Sequence, residues 1–116
     1  MLKKVKLEGI VTFKEDEKVI EEFETKFEWE REEWQDEDIW TWYLDDFLWE
    51  IAERKLKERG IDVYNAKMDT FFDWDAWAYC SKPEVDLHIT IYDDDGNEKD
   101  FLLTFKVYKE EREEEE

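Results

Sequence analysis

Between residues 36 and 59, Trp40, Tyr43, Leu44, Phe47, Leu48, Ile51 and Leu56 follow the three–four spacing of a single apolar stripe. That periodicity predicts an amphipathic α-helix. Asp36 is the expected N-cap, with Glu37 and Asp38 in the first turn. Arg54, Lys55, Lys57 and Arg59 fill the last turns, and Gly60 supplies the stop. Acid at the start and base at the end complement the helix dipole, and glycine accepts the left-handed backbone of a C-terminal cap. A helix with one apolar stripe needs a second layer to bury it.

The partner layer is written in period two. Val5, Leu7, Val11 and Phe13 share a parity, as do Val19, Phe23, Phe27 and Trp29. Both segments read as strands with one buried face. Charge selects their register. If paired numbers sum to 34, Lys4 faces Glu30, Lys6 faces Glu28 and Glu8 faces Lys26. A sum of 32 sets Lys6 against Lys26 and Glu8 against Glu24, and like charges directly opposite are destabilising. The first register leaves Asp16-Glu17-Lys18 as a three-residue hairpin loop. A third strand is expected within 62–74, where Tyr64, Ala66, Met68, Phe72 and Trp74 share a parity, and 75–84 reads as a loop. A fourth strand buries Val85, Leu87, Ile89 and Ile91. After the turn signal Asp94-Asp95-Gly96-Asn97, a fifth buries Phe101, Leu103, Phe105 and Val107. Pairing Ile91 with Phe101 sets Asp86 against Lys106 and His88 beside Thr104.

The expected fold class is therefore α+β: two layers, a mostly antiparallel five-stranded sheet packed on one amphipathic helix, in the order β-β-α-β-β-β. Residues 1–109 form one domain and 110–116 an acidic frayed tail. Strand order stays open between 2-1 beside 3-4-5 and an interleaved sheet.

Charge restricts partners more than any motif does. Asp and Glu number 36 against 17 Lys and Arg, a formal charge of −19. Such a chain is repelled by nucleic acid and anionic membrane surfaces and is attracted to basic proteins. Aromatic content of 17% argues against disorder. No apolar run approaches a membrane span, and Lys3, Lys4 and Lys6 precede no signal-peptide stretch. One cysteine, Cys80, points to a reducing compartment, the cytoplasm of a microbial host. Few amides and many charges suit a thermophile or its virus, a bias that designed proteins share.

No chemistry-bearing motif emerges. His88 and Cys80 lack the partner spacing of a zinc site, and no metal ligand or cofactor is expected. Asp93 to Asn97 shares part of a calcium-loop pattern, but Ile91 stands where the first acidic ligand belongs. Ser81 is the only serine, so nucleophilic triads find no support. Asp73 and Asp75, flanking Trp74, are the best acid–base candidates in a chain whose carboxylates are too abundant to be informative.

The expectation that remains is a non-enzymatic protein docking on a basic protein surface. Its sharper version is a nucleic-acid mimic that inhibits a host defence nuclease, the role of virus-encoded anti-restriction and anti-CRISPR proteins. Size and charge alone carry that version. The acidic run supplies Glu28, Glu30, Glu32, Glu33, Asp36, Glu37 and Asp38, with Arg31 the only base among them. Trp42 and Trp49, seven residues apart on the back of the helix, are the candidate anchors, unless Trp74, Trp77 and Tyr79 fold over them as a lid. Rival readings are a self-assembling subunit using the same tryptophans, a designed domain, and a small-molecule pocket lined by Trp40, Tyr64, Phe72 and Trp74.

Overall fold

A computed structural model describes residues 1–79 and 83–114. The elements are β1 (Leu2–Glu15), β2 (Lys18–Glu30), a 3₁₀ turn (Glu37–Ile39), α1 (Trp40–Glu58), β3 (Lys67–Asp73), α2 (Asp75–Tyr79), β4 (Glu84–Tyr92) and β5 (Glu98–Glu114). The strands form one antiparallel sheet in the order β2-β1-β5-β4-β3, with α1 packed on one face. This is the expected α+β arrangement. The hairpin stays beside the meander without interleaving, and β5 is the strand that meets β1. Seventeen residues of β5 at about 3.3 Å each account for the 57 Å long axis.

The core is what the two periodicities prescribe. Val5, Leu7, Val11, Phe13, Leu87, Ile89, Phe101, Leu103 and Phe105 line the covered face, and Trp40, Leu44, Leu48, Ile51, Ala52 and Leu56 press onto it from α1. Phe13 stacks on Phe101 at 5.6 Å, and Phe27 meets Phe47 of α1 at 5.5 Å. Each such fully buried side chain contributes about 1.5–3 kcal/mol. The end of α1 is a Schellman cap: Ile61 N–H donates to Leu56 O, Gly60 N–H to Lys57 O, and Gly60 has φ +82°. Asp36 stands at the N-cap position of the 3₁₀ turn, but its side chain makes no capping bond. The salt bridges of Glu15 to Arg59 and Lys99 tie the helix end to β1.

The charge-selected register of the first hairpin holds from Lys4↔Glu30 to Phe13↔Glu21. Beyond Phe13 a bulge shifts it by one. The loop is therefore Asp16-Glu17 alone, both at positive φ (48° and 70°), not the three residues expected. A two-residue turn with both central residues left-handed matches the twist of the flanking strands. The bulge also turns Val19 outward, where it is exposed.

Four further expectations are corrected. The β4–β5 register pairs Ile89 with Phe101, which sets Asp86 opposite Thr104, Glu84 opposite Lys106 and His88 opposite Leu102. Asp93 closes the loop with its carboxylate, accepting N–H bonds from Asp95 and Asn97, and so recentres the turn by one residue. The shift is an even number of residues, so the buried set is unchanged. Residues 75–79 are helical because Asp73 accepts the Asp75 N–H and starts the turn; Cys80, Ser81 and Lys82 of the expected loop lie outside the described residues. The four residues expected to line a pocket between helix and sheet are not all brought together. Trp40 is covered by Trp74 and Trp77, and Tyr64 is exposed on a turn. Finally, residues 110–114 are not frayed. They continue β5 along β1, where Glu111 faces Lys6 and Glu113 faces Lys4, while Glu115 and Glu116 lie outside the described residues.

Gly9 sits at the bulge between β1 and β5. A Cβ there would lie 2.3 Å from Lys106 O and 2.6 Å from the Phe105 ring. Backbone cannot yield as a side chain end can, so Gly9→Ala is expected to cost on the order of 3 kcal/mol in denaturant unfolding. Glu17→Gly has the opposite sign. It relieves a left-handed non-glycine residue and creates Asp-Gly in a type I′ position, for a gain of about 1 kcal/mol in the same measurement.

Candidate functional site

The acidic run leaves β2 and forms a braced loop. Arg31 N–H donates to Lys3 O at 2.7 Å, extending the sheet by one bond. The Arg31 guanidinium Nη1 donates to the carbonyls of Glu32, Glu33 and Gln35 at 3.3–3.5 Å. Gln35 is the one buried polar residue among the described residues. Its Oε1 accepts the Glu32 N–H at 3.0 Å and its Nε2 donates to Tyr43 Oη at 2.9 Å. The loop's polar skeleton is thus satisfied from inside. Glu32, Glu33, Asp36 and Asp38 are exposed, and of these the Glu32 carboxylate accepts the Trp34 indole N–H.

The other three predicted acids have cationic or N–H neighbours. Glu30 faces Lys4 and Glu28 faces Lys6 on the open side of the sheet. The same two lysines face Glu113 and Glu111 of β5 from their other side. One rung further along, the order inverts: Glu8 lies between Lys26 and Lys109, bonded to Lys26 at 3.0 Å. Those lysines hold the Glu8 carboxyl below its ordinary range, the Lys26 hydrogen bond foremost. The Glu28–Glu30 end of the carboxylate row on β2 therefore lies opposite lysines, while Glu24 and Glu22 of the same row face Ile10 and Thr12. Glu37 accepts the Leu2 N–H at 2.6 Å and lies 4.0 Å from the terminal amine, pinning the start of β1.

The aromatic anchors need revision. Trp42 is 71% exposed. Trp49 is half-buried and packs against the core. Seven helical residues stand about 10 Å apart along the axis, so a shared side of the wheel does not imply shared cover. Trp74 and Trp77 do form a lid, but over Trp40, with ring centroids 6.0 Å from it. The second exposed indole is Trp34, which sequence reasoning passed over. It is 72% exposed and its Nε1 donates to Glu32 at 2.6 Å. Its place between Glu33 and Gln35, outside any periodic segment, was the available signal. An open groove of about 540 Å³ runs from Met1 past Asp36, Glu37 and Asp38 to Trp42. Pairing of β5 with β1 brings Glu113 and Glu114 to the same end, with Glu114 3.4 Å from the Met1 amine.

A different group offers metal-ligating atoms. Asp73 and Asp86 are paired across β3 and β4 on the open face, and His88 is two residues along β4. One ligand atom from each lies within 4.8 Å of the others. Spacing along the chain could not show this, because Asp73 comes from the neighbouring strand. Of the two acid–base candidates, Asp73 turns its Oδ1 to the Asp75 N–H, at 2.9 Å.

No family model matches the chain, and no similar curated protein or solved structure is found. Among the described residues, no helix is long and apolar enough to cross a membrane.

The lid carries one testable consequence. Trp74 Nε1 donates to Asp45 Oδ1 at 2.9 Å. Burial raises the Asp45 carboxyl above the ordinary aspartate range; the Trp74 bond opposes the rise and Asp46 adds to it. A folded-state pKa above the unfolded one means that ionising Asp45 costs stability, in a penalty that grows as pH rises through that window. Asp45→Asn keeps the acceptor for Trp74. It is expected to raise the melting temperature at pH 7, and the gain should disappear below about pH 3.9.

Proposed function

We propose that this chain is a non-enzymatic binding protein that docks its acidic end on a basic protein surface. One observation carries the reading: Glu32, Glu33, Asp36 and Asp38 stand exposed on an internally braced loop, with Trp34 and Trp42 exposed beside them. A braced loop loses little further entropy on binding. Indoles ringed by charge combine an apolar anchor with electrostatic steering. The same end would oppose self-association, because a two-fold contact sets like carboxylates against each other. That favours a partner of opposite charge over assembly of identical subunits.

The nucleic-acid-mimic version centres on this loop, since Glu28 and Glu30 of the β2 row lie opposite Lys6 and Lys4. In that version the partner is a nucleic-acid-binding protein, such as a defence nuclease, and the chain blocks its basic groove. The setting would be the cytoplasm of a microbial cell, with the gene belonging to the cell or to its virus.

The triple variant Glu32→Lys, Glu33→Lys, Asp36→Lys leaves those cross-strand charge pairs and the Gln35 brace untouched. Partners captured from lysate at low salt, identified by mass, are expected to be basic and to elute as salt rises. Association of a purified partner should slow at least tenfold in the variant at low salt, and converge with the parent at high salt. Competition by DNA or RNA marks the mimic version. Equal association rates for parent and variant at low salt overturn the reading. A multimer by light scattering that strengthens with salt would favour the self-assembling alternative.

A further inference from the structure

We propose that Asp73, Asp86 and His88 form a binding site for a first-row divalent metal ion of the Zn²⁺ type on the open face of the sheet. The site is independent of the acidic loop. Three observations converge on it. Asp73 and Asp86 are direct cross-strand neighbours, and like charges in that position repel. Asp86 Oδ1 is buried, and no described residue gives it a hydrogen bond. A buried carboxylate oxygen without a donor is costly unless a cation takes that place. His88 then brings a nitrogen donor to the same point, its ligand atom within 4.8 Å of those of both carboxylates.

The surroundings suit a ligand set. The His88 ring lies against Phe71, centroids 5.9 Å apart, which limits how the imidazole can turn. Asp73 is oriented by the Asp75 N–H bond at 2.9 Å, an outer-shell contact of the kind that metal-bound carboxylates keep. Donors about 2.0–2.2 Å from one ion lie roughly 3–3.5 Å apart, so closure needs side-chain adjustment on an ångström scale. Two carboxylates neutralise a divalent charge. An imidazole in the set favours zinc-like ions over Mg²⁺, and three protein donors leave positions for water. Bound metal would clip the end of edge strand β3 to β4, just before Trp74 enters the lid over Trp40.

His88 is the only histidine, so its imidazole proton resonances report the site without ambiguity. The experiment titrates Zn²⁺, and separately Mg²⁺, into a Cys80→Ser background, which removes the thiol as a competing ligand. Zn²⁺ is expected to shift the His88 resonances and saturate at one equivalent, while Mg²⁺ at the same concentration leaves them in place. At a hundredfold excess over Kd, the melting temperature should rise by roughly 10 °C. Asp86→Asn should weaken Zn²⁺ at least tenfold without lowering metal-free stability, because it removes a like-charge contact. Glu22→Gln, on the β2 row, should bind as the parent does. A non-saturating response, or Asp86→Asn binding as tightly as the parent, means diffuse association with surface carboxylates and overturns the proposal. If Asp86→Asn fails to fold, Asp73→Asn and the titration of the parent decide by the same criteria.

Discussion

Asp16 and Asp100 are 84 positions apart, yet the N–H of each donates to an oxygen of the other, at 2.8 and 3.1 Å. They mark one end of the seam between β1 and β5. Closing so long a loop is entropically expensive, although the cost rises only slowly with length. What repays it is the floor the seam creates: Val11 beside Phe105, Phe13 beside Leu103, all buried under α1. A two-stranded hairpin alone would be marginal in water, and a three-stranded meander would offer a narrower apolar face. The seam makes one face wide enough for the whole stripe of α1.

The same seam determines how the chain tolerates its charge. Lys4 and Lys6 on β1 each lie between a β2 glutamate and a β5 glutamate, and Glu8 lies between two lysines. Along that stretch of the open face, acids and lysines alternate across the strands. The acids of the loop between β2 and α1 lie outside this lattice, as do the exposed Asp93, Asp94, Asp95 and Glu98 at the β4–β5 turn. The acids of the β2–α1 loop stand beside two exposed indoles.

Most of the fold was legible along the chain. The α1 stripe, the strand parities and the first-hairpin register follow from local spacing and from opposite-charge pairing, and both survive in the structure. The misreadings share a cause. Residues 110–114 look like a repelling tail until Lys4 and Lys6 are placed opposite them. Trp42 and Trp49 look equivalent on a helical wheel until the cover along the axis is known. His88 looks solitary until Asp73 arrives from the adjacent strand. Each of these depends on a neighbour distant in sequence, which periodicity does not encode.

What the chain alone determined is its set of faces: which residues point inward, which outward, and where helix replaces strand. Those follow from the 3.6- and two-residue repeats, which are properties of local backbone geometry. Only the tertiary structure decided which faces meet. The β1–β5 pairing placed Glu113 and Glu114 beside the acidic loop, and the β3–β4 pairing set Asp73 against Asp86, because strand partnership is chosen by the burial of the whole sheet and not by any one segment.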